Sequence, residues 1–285
     1  MMVITIWWSA WGTQKEIPHL SQPLERAKLN PFLQMIADVR EAFSNISFRW
    51  LFFGVLIVFI MAGVNGALDL YMLQYFWEFS GEQMLLLQVA SIVGLLLGVF
   101  LTAPLHRFTS KRFGVLLGTG AWAVFQLIPV VFRLLEWFPE NGTAILAYTL
   151  VIMKFAQGLI LQQAFISFGS MMADITDEHE YQSGVRQEGI FFGAIAFSSK
   201  ATSGFGNFIG GIGLDVIDWP RGADIKTAAD IPADTLINLG LLYGPIVAAF
   251  AVISLWCYSH YKLTRERHEE ILIELNLRRE KAANA

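Results

Sequence analysis

Cysteine is almost absent from this chain. The single one, Cys257, lies inside an apolar run, so there is neither a disulfide framework nor a cysteine-based metal centre. Charge is scarce too. Only 15% of residues are charged, against about 25% in an ordinary soluble domain, and a folded globule of this length would lack the polar surface it needs. A basic excess is also missing: the formal net charge is −4. A polyanion-binding protein would be basic, which excludes nucleic acid as a partner. The histidines, His19, His106, His179, His260 and His268, are scattered, and no HExxH, GxSxG, P-loop or strand-borne GxGxxG pattern occurs. With no paired nucleophile and base and no ligand cluster, we expect no enzyme and no resident cofactor.

Apolar residues are what the chain has in abundance. They make up 55% of it, with 23 Phe and 9 Trp, and the mean hydropathy is +0.50. Six long apolar runs cover 50–76, 84–105, 113–132, 143–173, 189–214 and 236–259. Each is longer than the roughly 18 residues that mark a spanning helix. The expected fold is therefore an all-α membrane protein, a six-transmembrane-helix bundle over 50–261, with the lipid bilayer as its first partner. Residues 1–12 are apolar but too short to span and lack a signal peptide's basic flank and cleavage site. They read as the end of a truncated transmembrane helix. Residues 13–49 form a polar connector broken by Pro18, Pro23 and Pro31. Within it Phe32, Met35, Ile36, Val39 and Phe43 fall at helical spacing, predicting an amphipathic helix on the next segment or in the membrane interface. The tail 262–285 alternates charges around Ile271, Leu272 and Leu275, predicting a solvated helix that ends in disorder.

Lys and Arg set the expected orientation. Alternate connections place 15 of them on one side and 3 on the other. The connector and the C-terminal tail are thus expected in the cytoplasm, in a plasma or inner membrane.

Several polar residues interrupt the spans. Asn65 and Asp69 share a helix face. Asp69 either lines an aqueous cavity or hydrates at the interface beside Tyr71 and Tyr75. Lys154, with Gln157 a turn on, either faces a central cavity or snorkels outward. Lys200 is placed too deep to snorkel easily, and an unpaired ammonium there costs roughly 2.5–3.5 kcal/mol. We read it as facing a cavity, with Ser203 and Asn207 continuing its face. Its helix carries GxxxG spacing twice, at Gly189–Gly193 and Gly206–Gly210, which permits close helix approach. Just before it comes a charge-dense connection holding Asp174, Asp177, Glu178, Glu180, Arg186 and Glu188. We read this as a loop whose charge network forms and breaks as helices move, the alternative being a solvated turn.

These residues carry a resemblance. ADITDEHEY at 173–181, then GVRQEG at 184–189, then Lys200 and Gly204, resemble the loop and eleventh helix of the glycoside–pentoside–hexuronide:cation symporters. That family is the branch of the major facilitator superfamily that contains the melibiose carrier. HRFTSKRFG at 106–114 is similar to the short basic turn between a facilitator's eighth and ninth helices, and FRW at 48–50 to the entry of the seventh. The resemblance covers nearly the whole chain, as the C-terminal half of a twelve-helix protein. It implies alternating access between two six-helix bundles, with Lys200 in the central cavity and Asp174, Asp177, Glu180, Arg186 and Glu188 at a cytoplasmic gate. It further implies a coupling cation, Na+ or H+, bound in an N-terminal half missing from this chain. The expected function is cation-coupled symport of a sugar or glycoside. Ile195, Ala196 and Phe165 stand near the places of that carrier's polar contacts and tenth-helix tryptophan, which opens an alternative: a lysophospholipid or other amphiphile as substrate. A truncated, non-transporting membrane protein is the remaining alternative.

Overall fold

The structure, a computed structural model, describes residues 2–15, 30–222, 225 and 227–283; the connector stretch 16–29 lies outside them. The chain divides into two compact units, Met1–Ile36 and Ala37–Ala285. In the first, α1 (Met2–Thr13) exposes Trp7, Trp8 and Trp11. Next, α2 (Pro31–Ala42) forms where the amphipathic spacing predicts, but Ile36 and Val39 are exposed. The side chains of Phe32 and Met35 lie outside the described set.

The large unit is an all-α membrane bundle. It contains α3 (Ile46–Tyr71), α4 (Gly81–Phe108), α5 (Lys111–Leu134), α6 (Ala144–Ser183), α7 (Glu188–Val216), α8 (Ala233–Leu241), α9 (Val247–Ser259) and α10 (Arg265–Ala283). Local chemistry starts the helices. The side chains of Asn45, Ser80, Ser110 and Thr143 each accept the N3 backbone N–H of α3, α4, α5 and α6, and Ser80 completes a capping box with Gln83. Two wide turns continue the helices: Met72–Phe76 extends α3, and Leu242–Ile246 joins α8 to α9 through Pro245. Proline supplies no N–H, so the regular ladder cannot pass through it.

Five stretches, Ile46–Phe76, Gly81–Phe108, Lys111–Leu134, Ala144–Ser183 and Ala233–Ser259, are long and apolar enough to cross a membrane. At 29 residues α7 has the length, but Lys200, Asn207 and its many Gly and Ser dilute its hydropathy, and it falls outside that set. The expected sixth span is thus not among these five.

Small residues set the closest helix contacts. A Cβ on Gly158 would lie 2.2 Å from the Ser91 carbonyl oxygen, and one on Gly94 would lie 2.1 Å from that of Phe155, so α4 and α6 meet backbone to backbone. Gly206 does the same against Ile60 and Gly63 of α3, and Gly210 meets Ala67. The other GxxxG pair, Gly189 and Gly193, faces open space. One buried core gathers Leu68, Met72, Phe76, Val130, Leu146, Leu239 and Tyr243. A second gathers Phe48, Leu51, Ile175, Phe191, Tyr258, Ile271 and Leu275.

Two expectations need correction. The charged stretch after residue 173 is not a loop: α6 stays helical to Ser183 and ends at Gly184, whose φ of 74° forms a left-handed cap. At 40 residues it is about 60 Å long, twice a hydrocarbon core of about 30 Å, so its charged end projects beyond the spans. Nor is α10 merely solvated. Ile271 and Leu275 are 1% and 3% exposed and belong to the second core.

Candidate functional site

The projecting end of α6 carries acids on several sides; Asp174, Asp177 and Glu180 find counter-charges brought from elsewhere in the chain, and Glu178 finds a neutral amide. Lys111, in the first turn of α5, donates to both Asp174 oxygens at 2.7 Å. His268 of α10 lies 3.0 Å from Asp177 Oδ2 and 3.6 Å from Asp174 Oδ1. Arg279 of α10 reaches Glu180 at 2.8 and 3.0 Å. Arg186, in the short connection to α7, donates to Asp177 at 2.9 Å, to Glu180 at 3.0 Å, and to Glu188. Burial works against its charge, but the hydrogen bonds to Glu188, Glu180 and Asp177 outweigh that and hold its pKa above the usual range. On the opposite side Asn45 donates to Glu178 at 2.8 Å while its own oxygen caps α3. His179 is buried 3.6 Å from Glu41. The Arg278 guanidinium stacks 4.6 Å over the Tyr181 ring and donates to the Tyr181 carbonyl.

The structure therefore gathers Asp174, Asp177, Glu180, Arg186 and Glu188 into one network, with α10 clamped along α6. Sequence reasoning missed Lys111, His268, Arg279 and Asn45. A signal for His268 existed, since it stands at i, i+3 and i+7 with Ile271 and Leu275 on what proves to be the buried face of α10.

The polar residues inside the spans separate into two groups. Asp69 accepts a 2.6 Å hydrogen bond from the Tyr243 hydroxyl, which lies in the wide turn between α8 and α9. The Asn65 and Gln126 amides approach the same hydroxyl, and their nitrogens, Nδ2 and Nε2, are buried without completing a hydrogen bond. Tyr243 and Gln126 also line a cavity of about 30 Å³ with Lys154 and Gln157 of α6, enough for one water. Asn65, Asp69 and Lys154 thus converge around Tyr243, a residue the sequence reading did not single out.

Lys200 and Asn207 lie elsewhere, exposed on α7. At helical spacing Gly189, Gly193, Lys200, Gly204, Asn207 and Gly211 form a stripe, and a Cβ on any of the four glycines would meet no atom within 4 Å. The face that carries Gly206 and Gly210 is turned against α3. The Ser203 side chain lies outside the described set. Among the described residues no group of three or more His, Cys, Asp or Glu is disposed to hold a metal ion.

Comparison with known proteins agrees with this architecture. An uncharacterized symporter of Synechocystis sp. is 21% identical, over 98% of this chain and 51% of its own length. The uncharacterized symporter YjmB of Bacillus subtilis is 26% identical, over 72% of this chain and 42% of its own. The chain spans about half the length of the curated relatives it matches. A family profile described as MFS/sugar transport protein matches residues 1–265. The apolar helices, the charged end of α6 and the polar stripe on α7 are therefore those of a chain that belongs to the MFS/sugar transport protein family.

Proposed function

We propose that this chain supplies one six-helix bundle of a secondary active transporter, a cation-coupled symporter of a sugar or glycoside that works by alternating access. The family is one of transporters rather than enzymes, and both relatives are named as symporters. The observation that carries the reading is the α7 stripe. An ammonium at position 200 is costly against lipid, and its exposed, glycine-flanked face would border a wet lumen shared with an opposing bundle. In this reading Lys200 and Asn207 meet the substrate pathway directly. Asn65, Asp69 and Lys154 belong to it through the Tyr243 node. Asp174, Asp177, Glu180, Arg186 and Glu188 form the gate at the cytoplasmic end, near the connector and tail. The coupling cation, Na+ or H+, binds in the opposing N-terminal bundle.

A second reading, transport of a lysophospholipid or similar amphiphile, draws support from Phe197, Phe205 and Phe208, all exposed beside the Lys200 stripe. Uptake in proteoliposomes containing the complete transporter tests both. Lys200→Ala is expected to abolish coupled uptake and Lys200→Arg to retain part of it. Near-normal uptake by Lys200→Ala would refute the assignment, and labelled sugar against labelled lysolipid separates the two substrates.

A further inference from the structure

At the end of the bundle where α6 begins, α3 and the α8–α9 pair share an unusual construction. Each leaves the regular helical ladder for a five-residue wide turn, Met72–Phe76 and Leu242–Ile246. The two turns are packed together. A Cβ on Gly240, near the end of α8, would lie 2.8 Å from the Phe76 ring, and one on Gly213 of α7 would lie 2.7 Å from Leu242. Trp219 braces the same place, its ring turned edge-on to Tyr71 and Tyr75 with centroids 5.2 and 5.4 Å away. Wide turns interrupt the regular hydrogen-bond ladder and recur at functional sites. A helix end built on one has a joint at its base.

One hydrogen-bonded hub ties the two joints to each other. Asp69, a turn ahead of the first, accepts at 2.6 Å from the hydroxyl of Tyr243, inside the second. That partner is neutral, and no Lys or Arg pairs with Asp69 among the described residues. Asn65 of α3 and Gln126 of α5 bring their amides to the same hydroxyl, and both amide nitrogens stay buried short of a complete bond. Buried polar groups are nearly always paired, so the hub is held in an arrangement that its own members do not fully satisfy. There is also room beside it. The cavity of about 30 Å³ touches Leu73 in the first wide turn, Trp77 just past it and Tyr243 in the second. Protein interiors are otherwise close-packed.

We propose that Tyr243 is a positioning residue: its hydroxyl, acting through Asp69, latches the end of α3 against the α8–α9 turn, and the two wide turns are the joints on which that end moves when the latch opens. The latch rests on the transport reading, to which it adds a gate at the end opposite the charged network, but its test needs no substrate. Hydrogen exchange is followed peptide by peptide in the full chain in detergent. Tyr243→Phe keeps the ring in the core and removes only the hydroxyl. Exchange at 72–79 and 240–247 is expected to quicken about tenfold, the equivalent of about 1.4 kcal/mol, as befits a lost hydrogen bond to a charged group. The α4–α6 contact around Gly94 and Gly158 is expected to stay unchanged. Asp69→Asn can still accept from the hydroxyl, so the same amides should quicken by less, and the double variant should quicken them no more than Tyr243→Phe alone. A residue with a merely structural role would loosen the whole bundle. Equal quickening along α4 and α6, quickening confined to one of the two turns, or no change at either turn in both single variants would overturn the latch. If Tyr243→Phe does not fold, Asp69→Asn decides by the same comparison. Coupled uptake by the complete transporter is measured separately, and its absence in the wild type would refute the transport reading while the latch stands or falls on exchange.

Discussion

Replacing Lys111 by Met is the sharpest probe of the network at the end of α6. The side chain keeps an unbranched apolar stem, with sulfur in place of one methylene, and loses the ammonium. Its partner, the Asp174 carboxylate, is 11% exposed and receives both of its short bonds from that ammonium. What remains is His268 at 3.6 Å, too far to replace a direct bond. Removing one member of a fully buried pair costs about 3–5 kcal/mol. The Lys111 side chain, however, is 37% exposed, and screening there brings the expected loss to about 1–3 kcal/mol. Adding Asp174→Asn removes the stranded charge, so the double variant is expected to be about 1 kcal/mol more stable than the sum of the single effects predicts. Reversible unfolding in detergent of the wild type, both single variants and the double variant measures this coupling. Hydrogen exchange at Ile271 reports whether α10 loosens along with the pair. A Lys111→Met protein as stable as wild type, or strictly additive variants, would refute the claim that this pair fastens α5 to α6.

Two further outcomes follow from the packing and from the cap of α10. Gly158→Val forces a side chain into the Ser91 carbonyl and is expected to destabilise by about 1–3 kcal/mol or more. Gly169→Ala in the same helix, where a Cβ meets nothing within 4 Å, is expected to stabilise by about 0.5–1 kcal/mol; thermal unfolding compares them. The Glu266 carboxyl is held below its usual range by its own backbone N–H and the Thr264 hydroxyl. A depressed folded value means its contribution is complete above the unfolded pKa and is lost as pH falls through the folded one. The protection of the first-turn amides of α10, taken relative to the intrinsic exchange rate at each pH, should therefore fall on acidification in the wild type, and Glu266→Gln should remove that fall.

The spans were legible because hydrocarbon thickness sets a minimum run of apolar residues, and 84–105 or 113–132 satisfies it with no charge at all. The helical end of α6 was not legible in the same way. Its acids read locally as a loop, and the groups that let the helix continue, Lys111, His268 and Arg279, lie 63, 91 and 99 residues away from their partners. Glycine spacing was half informative. Gly206 and Gly210 do admit α3, whereas Gly189 and Gly193 have the same spacing and admit no neighbour. Spacing gives a helix the capacity for close approach, but the partner decides where it is used. The Asp69–Tyr243 pair joins residues 174 apart, and only the fold could bring them together.

The reach of α6 past the spans makes it a rigid arm. Residues 174–183 overhang by about 15 Å at 1.5 Å per residue, so a swing of about 10° where they leave the bundle would carry the tip through nearly 3 Å. That displacement matches the length of the bonds that Arg279 and Arg186 make to Glu180. Either α10 travels with the arm as its passenger or those bonds part. Any small rotation within the membrane is thereby reported, enlarged, at the far end of the chain.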